Sequence, residues 1–380
     1  MAATDSYAGG DGRLSPLSTP SATRAVLEAH GIGTKYTLGQ NFLVNDDVLK
    51  KIIALAEVGE NDRVLEVGPG IGTLTIALLK HAASVIAIER DPDLPAVLAD
   101  TLHPWREKFA LIEKDALDVT RDDIVAAMVE IGGDTGYPDR ASSAANETAQ
   151  WAVSQSEDCL SESGYPVAPP QEDLQLSLPS KLVANLPYAV AATVVLDYFE
   201  SFPFLDSATI MVQKEVADRM AAAVGTKNYG AYTVKLGLYA EPVGRFAVGP
   251  GNFFPPPRVD SAVIRLNRRV PLMADGAPAS PEVIAAAALM ADAAFTNRRK
   301  TIANSCKTYF SGRGPILLGV ADSSAAEGAP TIALPDGAAT AERLPAIFEA
   351  AAIDPRRRGE TLTQQEFLAL GAALLRVTAA

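Results

Sequence analysis

Residues 65–72 read LEVGPGIG, three glycines within five positions, set between an apolar run and the segment TLTIALLKHA. No other stretch limits the fold so tightly. A buried strand that turns directly into a helix while its backbone approaches a ligand needs positions without a Cβ. Further short apolar runs follow: SVIAIERD at 84–91, FALIEKDAL at 109–117, KLVANLPY at 181–188 and SATIMVQKEV at 207–216. Their spacing leaves room for crossover helices, and the alternation predicts an α/β fold with a doubly wound, Rossmann-like sheet.

The rest of the chain divides around that pattern. Residues 1–20, rich in Ser, Gly, Ala and Pro, are expected to form a disordered tail. SATRAVLEAHG and NDDVLKKIIALAEVG read as helices that open a domain spanning 21–270. About 60 residues separate EKDAL from KLVANLPY, more than one helix and two loops require. The excess, about 130–180, is polar and aperiodic, with nine acids against one base, and reads as a surface insertion. After SAVIRL the remainder, 271–380, reads as a helical domain with a loop expansion at about 311–340.

The 380 residues carry a net charge of −13, which by itself disfavours a polyanionic partner. Most of that charge is local to the insertion. Residues 258–313 run the other way, with nine Lys and Arg against four acids, so a basic face on an acidic protein is expected. Two cysteines without CxxC spacing and three scattered histidines predict neither a metal site nor a disulfide framework. No apolar run reaches the roughly 18 residues of a membrane helix, and the N-terminus lacks the basic and apolar regions of a signal peptide. A cytoplasmic monomer without membrane contact is the expectation.

The motifs point to chemistry. Glu89 follows Gly68 by 21 residues at the end of the next strand, placed to accept the hydroxyls of an adenosine ribose. Nicotinamide enzymes share that geometry, but their G-x-G-x-x-G seats a pyrophosphate, and here the third glycine comes one residue early. Glu66, two residues before Gly68, suits S-adenosylmethionine, which has no pyrophosphate. Gly68 and Gly70 are candidate cofactor contacts. Asp115 is placed either to accept an adenine amino group or to cap a helix. Asn185, Leu186, Pro187 and Tyr188 form NLPY at a strand's C-terminal edge. The exocyclic nitrogen of adenine is a poor nucleophile because its lone pair is delocalised into the ring. The Asn185 amide oxygen and a carbonyl of the Leu186–Pro187 turn would accept both amino hydrogens and turn the lone pair toward a methyl donor. Pro187 stiffens the turn, and Tyr188 offers a face for a base taken out of its stack.

Taken in order, GQNFLVND, LEVGPGIG, VIAIERD, KDAL, NLPY, MVQKEVADRM, FFPPPRVDSAVIRL and FTNRRKTIANS resemble the small-subunit (16S) ribosomal RNA adenine N6,N6-dimethyltransferases of the KsgA type. The likeness covers roughly 30–129, 180–310 and the C-terminal helices. It implies a class I S-adenosylmethionine-dependent methyltransferase with a smaller helical C-terminal domain. The implied cofactor contacts are Asn41, Leu43, Gly68, Glu89, Asp115 and Asn185. It also implies an aromatic clamp of Tyr188 with Phe253, and two adjacent adenosines near the 3′ end of the RNA, presented within a pre-30S particle, as substrate. Phe254 stands where the family more often has a small polar residue, which leaves two aromatic candidates for the clamp; register favours Phe253. Arg298, Arg299 and Lys300 in FTNRRKT, with Arg258, are the expected RNA contacts, and Arg265, Arg268 and Arg269 are expected on the same face. The alternatives are an antibiotic-resistance methyltransferase of large-subunit RNA, disfavoured by PPPRVDS and NRRKT, a nicotinamide oxidoreductase, disfavoured by GPGIG and NLPY, and a binding-only assembly factor, opposed by Asn185 and Tyr188.

Overall fold

The computed structural model describes residues 12–33, 40–132, 178–319 and 331–379; the acidic insertion falls outside them. In chain order the strands are β1 (Phe42–Leu43), β2 (Arg63–Val67), β3 (Ser84–Ile88), β4 (Phe109–Ile112), β5 (Lys181–Asn185), β6 (Ser207–Gln213), β7 (Ala240–Val248), β8 (Phe253–Phe254), β9 (Ser261–Arg268), β10 (Pro315–Gly319) and β11 (Thr331–Asp336). The central sheet runs β4-β3-β2-β5-β6-β9-β7. Its first five strands are parallel, and β9 lies antiparallel between β6 and β7.

The sheet is covered on both faces, so its inner strands are apolar at consecutive positions rather than at alternate ones. Leu65 and Val67 of β2 join one core cluster with Ile86, Ile88 and Val195, while Val64 and Val85 join the other with Ile76 and Leu98. The period of two thus sends neighbouring residues into different layers. Strand β7 escapes a reading by pattern because Pro242 and Gly244 interrupt it, and the register shifts between them. Proline and a bulge are tolerated there because β7 is the sheet's last strand.

Of the expected tail, residues 1–11 fall outside the described segments, and residues 14–18 are packed. Ser15 and Leu17 are buried, and the amides of Leu14 and Ser15 donate to Oδ1 of Asp46 at 2.7 and 3.3 Å. A helix over Pro20–Ala29 follows, with Thr19 accepting from the Ala22 amide and proline at its first turn. A second, Asp46–Ala56, is capped by Asn45.

After β9 the described chain is mainly helical, over Pro281–Phe295, Ile302–Ser311, Gly337–Ala350 and Gln364–Ala379, with Met290, Phe310, Ile347 and Phe367 in its core. The expected loop at 311–340 is in part an antiparallel hairpin of β10 and β11, and residues 320–330 fall outside the described segments. No helix among the described residues is long and apolar enough to cross a membrane.

Two-residue strands β1 and β8 pair antiparallel, Phe42 with Phe254 and Leu43 with Phe253, which brings GQNFLVND against FFPPPRVDS. Phe253 is only 3% exposed and packs in the core, whereas Phe254 is half-buried beneath the Arg24 guanidinium, 5.3 Å from its ring centroid. Phe253→Ala should therefore lower stability by roughly 3–5 kcal/mol in urea unfolding, the cost of emptying a core aromatic site. Phe254→Ala should cost much less; equal losses would contradict this placement.

Candidate active site

Strand order reverses between β2 and β5, because the chain runs outward from β2 through β3 to β4 and returns to β5 on the other side. Loops leaving the C-terminal ends of β2 and β5 diverge and open a crevice. A cavity of about 480 Å³ occupies it, within the range of small-molecule sites. Asn41, Leu43, Gly68, Gly70, Glu89, Asp115, Asn185, Leu186, Pro187 and Tyr188 all line it, as do Gln40, Phe42, Glu66 and Gln213.

The glycine turn makes the floor. Gly70 has φ of +61°, and a Cβ there would lie 3.1 Å from the Phe42 ring, closing the space between the turn and β1. Gly72, at φ +90°, would instead press a Cβ onto Leu102 and Thr101. The third glycine therefore serves close packing of the turn against Thr101 and Leu102.

Three carboxylates face this cavity in different states. Amides of Arg90 and Asp91 donate to Oε1 of Glu89 at 3.0 and 2.9 Å, fixing it at the end of β3, and burial raises its pKa despite those bonds. Of the two readings of Asp115, the cap is observed, on the wall of the cavity. Its Oδ1 caps the short turn Ala116–Asp118 through the Leu117 amide, and the Arg90 guanidinium, 2.7 Å from Oδ2, holds its carboxyl below the usual range. Glu66 is 1% exposed, and its Oε2 has no hydrogen-bond partner. Burial pushes its pKa up to about 8, the Thr75 hydroxyl opposes the rise, and the charge of Glu89 adds to it.

Over the floor, the Asn185 amide nitrogen donates to the Asn41 carbonyl at 3.2 Å, so its oxygen is turned away from that contact. The Leu186 amide donates to the Met211 carbonyl at 3.1 Å, anchoring the turn to β6. The Pro187 carbonyl accepts from Val190 and Ala191 and starts the helix Ala191–Ser201. Of the two turn carbonyls weighed from the sequence, that of Leu186 is thus the one without a donor among the described residues. Tyr188 is half-buried, and its hydroxyl lies 2.6 Å from Oγ of Ser261. Gln40 donates to buried Asp91 at 2.6 Å and ties the strip 40–43 to the loop after β3. Nothing in the sequence singled out Gln40, Gln213 or Ser261 beyond their place in longer motifs.

Two groups of expected residues are placed otherwise. Phe253 does not line the cavity, because the β1–β8 pairing turns it into the core beside Leu43, and among the described residues no aromatic ring pairs with Tyr188. The expected basic face is also narrower. Arg268 is spent on the carbonyls of Phe199, Phe202 and Leu205, Arg265 on Glu57 and the Leu55 carbonyl, and Arg269 on Gln364. Arg298 bridges Glu360 and the Thr226 carbonyl. Arg258, Arg299 and Lys300 are exposed and make no ion pair among the described residues. Residues 354–358 add arginines that sequence reading passed over. The Ile302 amide donates to the Arg357 carbonyl and that of Ala303 to Pro355, joining this segment to the helix Ile302–Ser311, but Arg356 pairs with Asp354, Arg357 with Glu366 and Arg358 with Glu360.

Comparison with known proteins places these residues in a wider setting. Residues 33–329 match the family described as Ribosomal RNA adenine dimethylase. A protein named Ribosomal RNA small subunit methyltransferase A from Geobacillus sp. (strain WCH70) is 32% identical over 361 residues, covering 95% of this chain and 98% of the relative. Its namesake from Enterococcus faecalis is 33% identical over 362 residues, covering 94% and 96%. A crystal structure of a dimethyladenosine transferase from Plasmodium falciparum superposes with a TM-score of 0.53 at 20% identity, covering 87% of this chain and 95% of the other.

Glu66 yields a pH test. Its folded pKa of about 8 lies above the ordinary 4.5, so between those values the unfolded chain has lost a proton that the native state keeps. Stability should then fall with rising pH by up to about 1.4 kcal/mol per unit from this group. Glu66→Gln removes the titration, and its stability advantage over the parent in urea melts should grow from pH 5 to pH 8. Parallel profiles would show that Glu66 does not titrate in this window.

Proposed function

The chain belongs to the ribosomal RNA adenine dimethylase family, and we propose that it transfers methyl groups from S-adenosylmethionine to N6 of two adjacent adenosines near the 3′ end of small-subunit ribosomal RNA. The substrate in this reading is RNA within a partly assembled small subunit. One observation carries it: Asn185, held through its amide nitrogen by the Asn41 carbonyl, and Leu186, whose carbonyl has no donor among the described residues, both line the cavity.

The residues present fit the cofactor. A turn in which Gly70, at positive φ, lies close against the Phe42 ring closes one side, and Glu89, fixed by two amides, suits ribose hydroxyls. Glu66, a buried acid with an orphaned oxygen, suits the amino end of the cofactor, while Asp115 and the strip Asn41–Leu43 complete its walls. Bound there, S-adenosylmethionine supplies an electrophilic methyl group on a sulfonium sulfur.

The chain's own groups deal with the nucleophile. Asn185 Oδ1 and the Leu186 carbonyl each accept one hydrogen of the adenine amino group, drawing its nitrogen toward tetrahedral geometry with the lone pair outward. A sulfonium methyl held there would pass to N6 with the sulfur leaving as a neutral thioether, and the resulting ammonium would give its proton to solvent. No strong base is needed, so the rate gain comes from position and oriented dipoles. Tyr188 supports the base by stacking, worth roughly 1–3 kcal/mol and comparable to the cost of flipping it. Phe253, the second half of the clamp in the family resemblance, would contribute to stacking only after its ring leaves the core.

Mapping dimethylated adenosines in small-subunit RNA from cells with and without this protein tests the reading, and an unchanged pattern would refute it. Asn185→Ala should lower single-turnover methylation by roughly 10²–10³, the usual loss when one oriented polar group is removed from a reacting centre. Cofactor binding should remain measurable, and turnover within threefold of the parent would remove the amide from the mechanism.

RNA contact is assigned to the exposed cations that remain. Neutralising Arg299 and Lys300 together should flatten the slope of log affinity against log salt for small-subunit particles by roughly 1.4–1.8, at about 0.7–0.9 per phosphate contact. Parallel plots for parent and variant would take this face out of the RNA-binding surface.

A further inference from the structure

Tyr188 and Ser261 lie 73 residues apart in sequence, yet their hydroxyl oxygens are 2.6 Å apart. Ser261 is fully buried and opens β9, where its neighbours in the sheet are Gln213 of β6 and Val248 of β7. Its hydroxyl is therefore presented by a strand held on both sides. Tyr188, by contrast, follows β5 in a turn and is half-buried on the cavity wall. Burial raises the phenol's pKa, so it stays neutral and keeps its proton for a hydrogen bond.

We propose that Ser261 is a positioning residue for methyl transfer, setting the plane of the Tyr188 ring on which the target base lies. The inference rests on the reading of the site as an adenine methyltransferase. The acceptors for the amino group, Asn185 Oδ1 and the Leu186 carbonyl, are fixed by bonds to Asn41 and Met211. With those two points set, the tilt of the base decides where the lone pair points, and the tilt follows the ring beneath it. A tyrosine ring held only at its Cβ end turns about two torsions; a bond at the hydroxyl removes most of that freedom. Errors on the order of 1 Å in such alignment cost about 10² in rate. A phenylalanine at 188 would stack as well but would lose the anchor.

Three variants test this: Ser261→Ala, Tyr188→Phe and the double variant, each in single-turnover methylation of small-subunit particles at saturating RNA and cofactor. Each single change should lower the rate constant about three- to tenfold, the range for one net hydrogen bond. The double variant should be no slower than the slower single, because both changes remove one interaction. Cofactor affinity by equilibrium dialysis should stay at the parent value. A simple structural role for Ser261 predicts losses that multiply in the double variant or that follow the melting temperature, and either result overturns the proposal. So does parent-like turnover of Tyr188→Phe, which is the decisive variant if Ser261→Ala fails to fold. A parent enzyme that leaves adenosine unmethylated overturns the functional reading and this inference together, whereas a methylating parent with multiplicative variants overturns the inference alone.

Discussion

Everything at the site depends on the reversal of strand order between β2 and β5. Two parallel strands that are neighbours in space but leave in opposite directions cannot have their following loops pack against each other. One loop carries the glycines after Val67 and the other carries NLPY after Asn185. Topology alone thus sets a floor for one ligand opposite acceptors for another. The same reversal explains the length of the intervening chain, which makes two excursions through β3 and β4 before returning to β5. An insertion between β4 and β5 leaves the parallel pairings of β2 with β5 intact in the described residues.

What was legible in the sequence was local. LEVGPGIG announces itself because a tight strand-to-helix turn and a close backbone approach both demand glycine, and NLPY because amide, proline and aromatic ring sit on consecutive residues. What was not legible depends on partners far along the chain. Phe253 is buried because β8 pairs with β1, some 210 residues earlier, and no pattern around FFPPP reports that pairing. Arg268 reads as a surface charge in sequence, but it reaches three backbone carbonyls near the end of the helix Ala191–Ser201, where uncapped acceptors collect. Residues 14–18 are too short a segment to suggest packing, and it is Asp46, accepting from the amides of Leu14 and Ser15, together with burial of Leu17 that makes them part of the fold.

Charge follows the same logic. A cluster in sequence counts cations without saying which are already spent. Around Arg298 the answer is mixed: its guanidinium joins the 224–228 loop to Glu360, while Arg299 and Lys300 remain exposed. The ion pair fixes Arg298, and among the described residues Arg299 and Lys300 are the cations of that cluster left outside an ion pair. This division lets a chain of net charge −13 present a local basic surface, since phosphate contacts act within about a Debye length, near 8 Å at physiological salt.

The cofactor side and the base side of the cavity are not independent walls. Asn185 is oriented by the Asn41 carbonyl, and Asn41 belongs to the strip that Gln40 fastens to Asp91 at the end of β3. The same strip continues through β1 into β8, and the Val44 amide donates to the Asn252 carbonyl at 2.8 Å. FFPPPRVDS then runs on to Ser261 and the Tyr188 hydroxyl. Asn185 is therefore one hydrogen bond from Asn41, which lines the same cavity. A displacement of residues 40–43 would move the Asn185 acceptor and the β8 segment together, so pre-organisation of the nucleophile's site is a property of the whole strip and not of NLPY alone.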